Sequence, residues 1–281
     1  MKVCRTVEEM RAAVAALRAD GDRIALVPTM GALHAGHMAL VARAGEVADH
    51  VTASLFVNPT QFENPEDLSA YPKTTDGDLA KFKSAGVAAV FMPNPDEVYP
   101  DGAETIVETT KLANMLHGKV RPGHFRGVTT VVCKLFNICQ PNVALFGEKD
   151  YQQLQIIKRM VRDLFIPVEI IGVPTVREDD GLAMSSRNVR LTSEDRAAAV
   201  VLNQSLALAE RMVADGTTAE DLRAAVTAHI TAEPRATVKA VDITDASDLT
   251  EATGPITAPV ALMISAQFGD ILLIDQRVAT P

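Results

Sequence analysis

Ile24-Ala-Leu-Val-Pro-Thr-Met-Gly-Ala-Leu-His-Ala-Gly-His37 runs from a short apolar strand, through a turn containing Gly31, into the start of a helix. Ile24–Val27 has the branched, apolar character of a buried strand, and Pro28 ends it because proline has no N–H for the next rung. Gly31 and Gly36 let backbone come close to a ligand, and a helix opening near Gly36 points free N–H groups at an anion. His34 and His37 are three apart, so both rings can flank one ligand from the first turn. The stretch is a nucleotide-phosphate site in outline. A His-x-x-His pair is also half of a metal site, but no second spaced cluster of ligands accompanies it in the sequence.

Outward from this stretch, strands and helices alternate. Val51–Val57 reads as a strand ending in Asn58-Pro-Thr-Gln-Phe62, a helix around Asp76–Ala85 precedes the strand Ala88–Met92, and a helix around Val128–Ile138 precedes the strand Val143–Phe146. A helix at Asp150–Leu164 and a strand at Val168–Val173 follow. Near-continuously apolar strands alternating with helices predict an α/β fold, a Rossmann-like parallel sheet covered by helices on both faces. Ligands in such folds sit at the carboxyl ends of strands, and the polar clusters Pro28–His37, Asn58–Phe62 and Gly147–Gln153 all follow strands. Upstream, Thr6-Val-Glu-Glu9 is a capping box opening a helix with Val7, Met10, Val14 and Leu17 on one face, and Gly21 stops it.

After Val176 the pattern changes. Arg177-Glu-Asp-Asp-Gly181 is charged and hinge-like, Thr192–Asp215 carries a sustained helical pattern, and Thr217–Glu220 opens another helix. Val238–Ile243, Val260–Ser265 and Ile271–Ile274 then read as strands separated by turns. Helices followed by consecutive strands predict a smaller α+β domain, so the expected division is residues 1–176 and 177–281.

The 281 residues, 47% hydrophobic and 22% charged, are ordinary for a soluble globular chain. A formal net charge of −9 argues against a broad nucleic-acid surface. Cys4, Cys133 and Cys139 include no Cys-x-x-Cys and make no even framework, which fits a reducing cytoplasm. The N-terminus carries acids where a signal peptide needs an apolar core, and no apolar run approaches membrane-spanning length.

Four further clusters carry candidate chemistry. In Phe146-Gly-Glu-Lys-Asp-Tyr-Gln-Gln153, Lys149 could reach a phosphate as a mobile point charge, and Asp150 could cap a helix or bind a ribose hydroxyl; an ordinary strand-to-helix turn fits the same residues. Ala183-Met-Ser-Ser-Arg-Asn188 offers two hydroxyls and a guanidinium suited to a leaving pyrophosphate, though a solvated loop is the plain reading. Asn58 and Gln61 place two amides past a strand end; Gln61 suits a small polar substrate, whereas Asn58 reads better as a turn residue. Arg121-Pro-Gly-His-Phe-Arg-Gly127 is a basic, glycine-containing loop in which His124 is given no catalytic role.

Taken together and in this order, these blocks resemble the pantoate–β-alanine ligase (pantothenate synthetase) family across almost the whole chain. Pro28–His37 matches that family's version of the His-x-Gly-His signature shared by nucleotidylyltransferases and class I aminoacyl-tRNA synthetases. Phe56–Phe62, Arg121–Gly127, Gly147–Gln153 and Met184–Asn188 match its further blocks. The resemblance implies a cytoplasmic homodimer that uses ATP and Mg²⁺ to join pantoate and β-alanine through a pantoyl adenylate. It places Met30, Gly31, Ala32, Leu33, His34, Ala35, Gly36 and His37 on ATP, with His37 as proton donor and His34 beside the phosphates. Gly147, Glu148, Lys149, Asp150 and Val176, with Met184, Ser185, Ser186 and Arg187, complete the nucleotide residues. Of these, His34, His37, Lys149, Ser185, Ser186 and Arg187 are implied to act in the chemistry. Gln61 and Gln153 are implied for pantoate, Gln61 also near β-alanine, with Arg121 a phosphate contact.

Proton transfer from His37 and hydrogen bonding by it both fit the sequence. Thr60 stands where some relatives carry Met, and Ala183 where the related synthetase signature has Lys, which leaves more of the phosphate charge to Lys149 and Arg187. Gly77 interrupts the acidic run Asp76-Gly-Asp78 that is linked to magnesium in relatives. Mg²⁺ is therefore expected to arrive on ATP, and the sequence names no protein ligand for it. Two other readings remain open: a nucleotidylyltransferase acting on another small acid, and a sensor that holds ATP without turnover.

Overall fold

The computed structural model describes residues 1–62, 65–69 and 71–281, without the side chains at 65 and 67. Contacts divide the chain into two compact units, one of residues 1–147 and 152–173, the other of residues 148–151 and 174–281.

The first unit holds six strands: β1 (Lys2–Cys4), β2 (Ile24–Thr29), β3 (His50–Leu55), β4 (Ala89–Phe91), β5 (Val143–Gly147) and β6 (Glu169–Val173). Their order is β1-β4-β3-β2-β5-β6, and every pairing is parallel. Side chains alternate across the pleat. Ile24, Leu26, Ala144 and Phe146 accordingly face one cluster with residues of the helices Val7–Leu17, His124–Cys139 and Tyr151–Asp163. Ala25, Val27, Val143 and Leu145 face the other, against Leu40, Val41 and Ala44 of the helix Ala35–Val47 and Phe82 of the helix Thr75–Ser84. Both faces are covered, which is why the strands read as unbroken apolar runs. Phe82 is fully buried, a contribution of about 1.5–3 kcal/mol by transfer of its side chain from water.

Element ends differ from the sequence expectations in local ways: β2 does not stop at Pro28 but runs through it to Thr29, with Pro28 opposite Ser54 of β3. β3 starts at His50 and stops at Leu55, before Asn58 turns the chain. The helix expected from Val128 begins at His124, where Gly123 at φ +80° lets the chain enter it. The capping box Thr6/Glu9 is present, with the Glu9 N–H donating to Thr6 Oγ1 at 3.1 Å and Glu9 Oε2 accepting the Thr6 N–H.

The second unit has a three-stranded antiparallel sheet of β7 (Ala236–Asp245), β8 (Val260–Phe268) and β9 (Ile271–Ala279), in that order. One face packs with the helices Ser193–Ala198, Val201–Ala214 and Ala219–Thr231 around Leu206, Leu222, Ile264 and Phe268. The helix expected as continuous over Thr192–Asp215 is two helices with a turn at residues 199–200. Thr192 caps the first of these, accepting from the Asp195 N–H, and Thr218 caps the last helix, accepting from the Asp221 N–H, each at 3.1 Å. Arg177 donates to both oxygens of fully buried Asp275, at 2.7 and 3.0 Å, which fixes residue 177 to β9.

Candidate active site

In the parallel sheet the chain builds outward from β2 through β3 to β4, then crosses back to lay β5 on the other side of β2. The crevice outside the carboxyl ends of β2 and β5 is therefore the topological switch point, where α/β sheets bind ligands. Thr29 ends β2 and Gly147 ends β5.

The loop after β2 turns through two left-handed residues, Gly31 at φ +89° and Ala32 at φ +51°. The helix then starts at Ala35, with His34 as its N-cap. The Gly36 N–H donates to His34 Nδ1 at 3.1 Å, and the His34 N–H donates to His37 Nδ1 at 3.3 Å. The two rings thus cap the helix reciprocally, as Ser and Glu do in a capping box. Their centroids lie 4.2 Å apart. Because each Nδ1 accepts a backbone proton, each neutral imidazole carries its own proton on Nε2, which makes Nε2 a donor. The N–H groups expected to be free for an anion are partly engaged: Gly36 gives its proton to His34, and the His37 N–H bonds the His34 carbonyl at 2.9 Å.

The loop is gripped from the neighbouring helix Thr75–Ser84. Asp78, 1% exposed, accepts the Ala32 N–H at Oδ2 and the Leu33 N–H at Oδ1, both at 2.9 Å. Among the described residues no group of three or more His, Cys, Asp or Glu side chains could hold a metal ion.

Past β3, the turn Pro59–Gln61 presents the substrate amide. Buried Asn58 uses its whole amide on the protein: Nδ2 donates to Gln61 Oε1 and the Gly127 carbonyl, both at 3.1 Å, and Oδ1 accepts from Tyr99 Oη at 2.8 Å and Thr60 Oγ1 at 3.0 Å. This is the turn role read for Asn58. Burial pushes the Tyr99 phenol above its ordinary pKa, so it remains a donor. Gln61 Oε1 is held by Asn58, and its Nε2 lies 3.0 Å from Met30 Sδ. His124 Nδ1 donates to the Gln61 carbonyl at 2.9 Å, leaving Nε2 as the acceptor 3.4 Å from an Arg121 nitrogen. His124 therefore links the Arg121 loop to the Gln61 turn. Gln152, 3% exposed, gives its amide to the carbonyls of Leu112 and Met115, whereas Gln153 is half-buried.

In the second unit, Val176 and Met184 join across a tight hairpin: the Met184 N–H donates to the Val176 carbonyl at 2.9 Å, and Arg177 pairs with Ala183. Asn188 Nδ2 holds the far end of the Met184–Arg187 loop by donating to Glu178 Oε1 at 2.9 Å and the Ala183 carbonyl at 3.1 Å. Arg196 bonds Glu178 and Asp180, both at 2.7 Å, and together with Asn188 holds the Glu178 carboxyl below the usual carboxylate range. Ser185 Oγ accepts the Arg187 N–H at 3.2 Å, so the hydroxyl closes a local turn. Ser185 and Ser186 are half-buried and Arg187 is exposed, while Lys149 is half-buried in a 3-10 turn, Glu148–Asp150.

The sequence profile of the Pantoate-beta-alanine ligase family matches residues 2–278. The chain belongs to that family. It is 48% identical over 279 residues to the pantothenate synthetase of Bartonella tribocorum, covering 99% of this chain and 98% of that protein. With that of Rhizobium johnstonii it shares 50% identity, covering 99% and 92%. The crystal structure of pantothenate synthetase from Thermus thermophilus superposes with a TM-score of 0.94 at 42% identity over 100% of both chains. A family structure from Francisella tularensis, complexed with beta-gamma ATP and beta-alanine, gives 0.81 at 34% identity over 99% of this chain and 97% of that one.

Sequence reasoning missed the roles of the side chains that hold these loops in shape. Asp78, Glu178 and Asn188 are polar side chains whose partners are backbone groups or charges elsewhere in the chain. The one available signal was Thr74 four residues before Asp78, the spacing of neighbours on a helix; Thr74 Oγ1 does donate to Asp78 Oδ2 at 2.9 Å.

Proposed function

We propose that the chain is an ATP-dependent ligase that joins pantoate to β-alanine to give pantothenate. A pantoate carboxylate oxygen attacks the α-phosphorus of magnesium-bound ATP, the bond to the bridging oxygen breaks, and pyrophosphate leaves with that electron pair. The β-alanine amine then attacks the acyl carbon of the adenylate. The acyl–phosphate bond breaks, AMP leaves, and the amine loses a proton.

The observation that carries this reading is the reciprocal cap of His34 and His37 at the switch point. It makes both Nε2 atoms donors beside a helix N-terminus, where the charge of a leaving pyrophosphate is best met. Phosphoryl chemistry asks for orientation and charge neutralisation more than for a protein nucleophile. In this reading residues 30–37 form the nucleotide loop, Ala32 and Leu33 contributing its shape. Gly147, Glu148, Lys149, Asp150, Val176, Met184, Ser185, Ser186 and Arg187 serve the nucleotide, with Lys149 and Arg187 supplying charge. Gln61 and Gln153 hold pantoate, and Arg121 is a further phosphate contact. Residues 1–176 then act as the nucleotide- and pantoate-binding domain and 177–281 as a lid, in a cytoplasmic homodimer. The identity of the Bartonella relative as a pantothenate synthetase and the beta-gamma ATP and beta-alanine of the Francisella tularensis complex support the substrates.

The test follows pyrophosphate, AMP and pantothenate from purified protein given Mg²⁺, ATP and pantoate, with and without β-alanine. Stoichiometric pyrophosphate without amine, then sustained AMP and pantothenate with it, is the expected result. Multiple turnover to a released nucleotidyl product would replace the reading with a transferase, and tight ATP binding without turnover with a sensor.

A further inference from the structure

We infer that Asp78 is a positioning residue for adenylation: its carboxylate fixes the backbone of Ala32 and Leu33, and through that loop the orientation of His34 and His37, and it is not a magnesium ligand. The inference rests on the ligase reading and names a part of the machinery that the sequence blocks do not contain. Asp78 is 1% exposed, and three donors converge on it: the Ala32 N–H and Thr74 Oγ1 at Oδ2, and the Leu33 N–H at Oδ1, all at 2.9 Å. A carboxylate offers about four acceptor sites, so little remains for a cation. One helical turn on, Lys81 Nζ donates to the Leu33 carbonyl at 2.5 Å. The helix Thr75–Ser84 thereby holds both backbone groups of Leu33, the residue that precedes the His34 cap.

The loop needs such a hold. Gly31 and Ala32 both sit at positive φ, which costs Ala32 about 1–2 kcal/mol relative to ordinary backbone. A Cβ on Gly31 would lie 3.1 Å from Asp78 Oδ2, so the carboxylate packs directly under the turn. An amide in place of the carboxylate has one oxygen and one NH₂ group. The NH₂ group would face either the Ala32 or the Leu33 N–H, donor against donor.

The experiment compares the full chain with Asp78→Asn and Thr74→Val. Three quantities are measured: pantoate-dependent ATP–pyrophosphate exchange, its Mg²⁺ dependence, and deuterium exchange at the amides of residues 32 and 33. For Asp78→Asn the expected result is about a 100-fold fall in exchange rate, the usual consequence of an ångström-scale displacement of reacting groups. Protection is lost at whichever of the two amides meets the NH₂ group, and the Mg²⁺ concentration for half-maximal rate is unchanged. Retained protection with an unchanged rate overturns the inference. So does a tenfold or greater rise in the Mg²⁺ requirement, which is the signature of a lost metal ligand. Should Asp78→Asn fail to fold, Thr74→Val removes one donor from an exposed hydroxyl and carries the test, with about a tenfold slower rate and weakened amide protection expected; no change in either overturns the inference. A wild-type chain that shows no pyrophosphate exchange fails the ligase reading itself, and the positioning role falls with it.

Discussion

Gly127 lies in the first turns of the helix His124–Cys139, where its α-carbon faces the turn that carries Gln61. A Cβ built at this position would meet the Thr60 carbonyl oxygen at 2.4 Å, its carbon at 2.7 Å and the Gln61 nitrogen at 2.8 Å. All three are backbone atoms, so no side chain can swing away. Bringing the closest of them to an ordinary contact of 3.4 Å requires the helix and the turn to part by about 1 Å. In an exposed helix, Gly→Ala stabilises by about 0.5–1 kcal/mol. Overpacking costs about 1–3 kcal/mol, so Gly127→Ala is expected to be a net loss. The same movement pulls the Gly127 carbonyl from Asn58 Nδ2, which also holds Gln61 Oε1. The variant should remain folded with a lowered unfolding temperature. Its turnover should fall by about 100-fold through misplaced substrate, with raised KM for pantoate and β-alanine and an unchanged KM for ATP. Thermal unfolding and steady-state kinetics on one preparation check this. A variant as stable and as active as the parent would show that the close approach does not set the Gln61 turn.

Replacing His37 or Lys149 with Ala should lower pantoate-dependent pyrophosphate exchange by about 100- to 1,000-fold. The His37 variant should lose about 1 kcal/mol of stability with its half of the helix cap; near-normal exchange in either variant removes that residue from the chemistry. Glu178 and Asp180 are held below the usual carboxylate range, chiefly by the Arg196 guanidinium. A carboxyl depressed in the folded state stabilises fully above its unfolded pKa of about 4.3 and loses that contribution as pH falls through the lower folded value. Unfolding temperature should therefore drop below about pH 4.3, less steeply in Arg196→Met, by no more than about 1 kcal/mol because the pair is partly solvated; parallel curves for the two proteins would sink this assignment. Complete burial pushes the Cys139 thiol up to about 12, and burial raises the Cys4 and Cys133 thiols too, so accessibility decides which one reacts: Cys4 and Cys139 are buried and Cys133 is only half-buried. Iodoacetamide should label half-buried Cys133 first and the other two only on unfolding, as peptide mass mapping with and without denaturant would show.

The alternation of strands and helices was legible because a parallel sheet buried on both faces leaves unbroken apolar runs such as Ile24–Val27 and Val143–Phe146. β1 was not, since Lys2–Cys4 is a three-residue edge strand whose pairing with β4 is fixed 87 residues away. The break at residues 199–200 was hidden because apolar spacing continues through it from Ala199 to Leu202 and Leu206. Within the site, the glycines and histidines announced themselves by residue type and local spacing. Their supports did not. Asp78 meets Leu33 across 45 residues, and Asn58 meets Gly127 across 69. A buried polar side chain satisfied at that distance looks, in sequence, like any solvated one.

The paired rings that open the helix Ala35–Val47 also set which contaminants the protein can tolerate. A soft cation such as zinc binds imidazole through a lone pair. To offer one at Nε2, either ring would have to move its proton to Nδ1, directly against the Gly36 or the His34 N–H. Chelation at this His-x-x-His pair thus carries the loss of a helix cap, about 1 kcal/mol per ring. A neutral-ring phosphate site and a zinc half-site share the same two residues in sequence, and the direction of two backbone protons separates them.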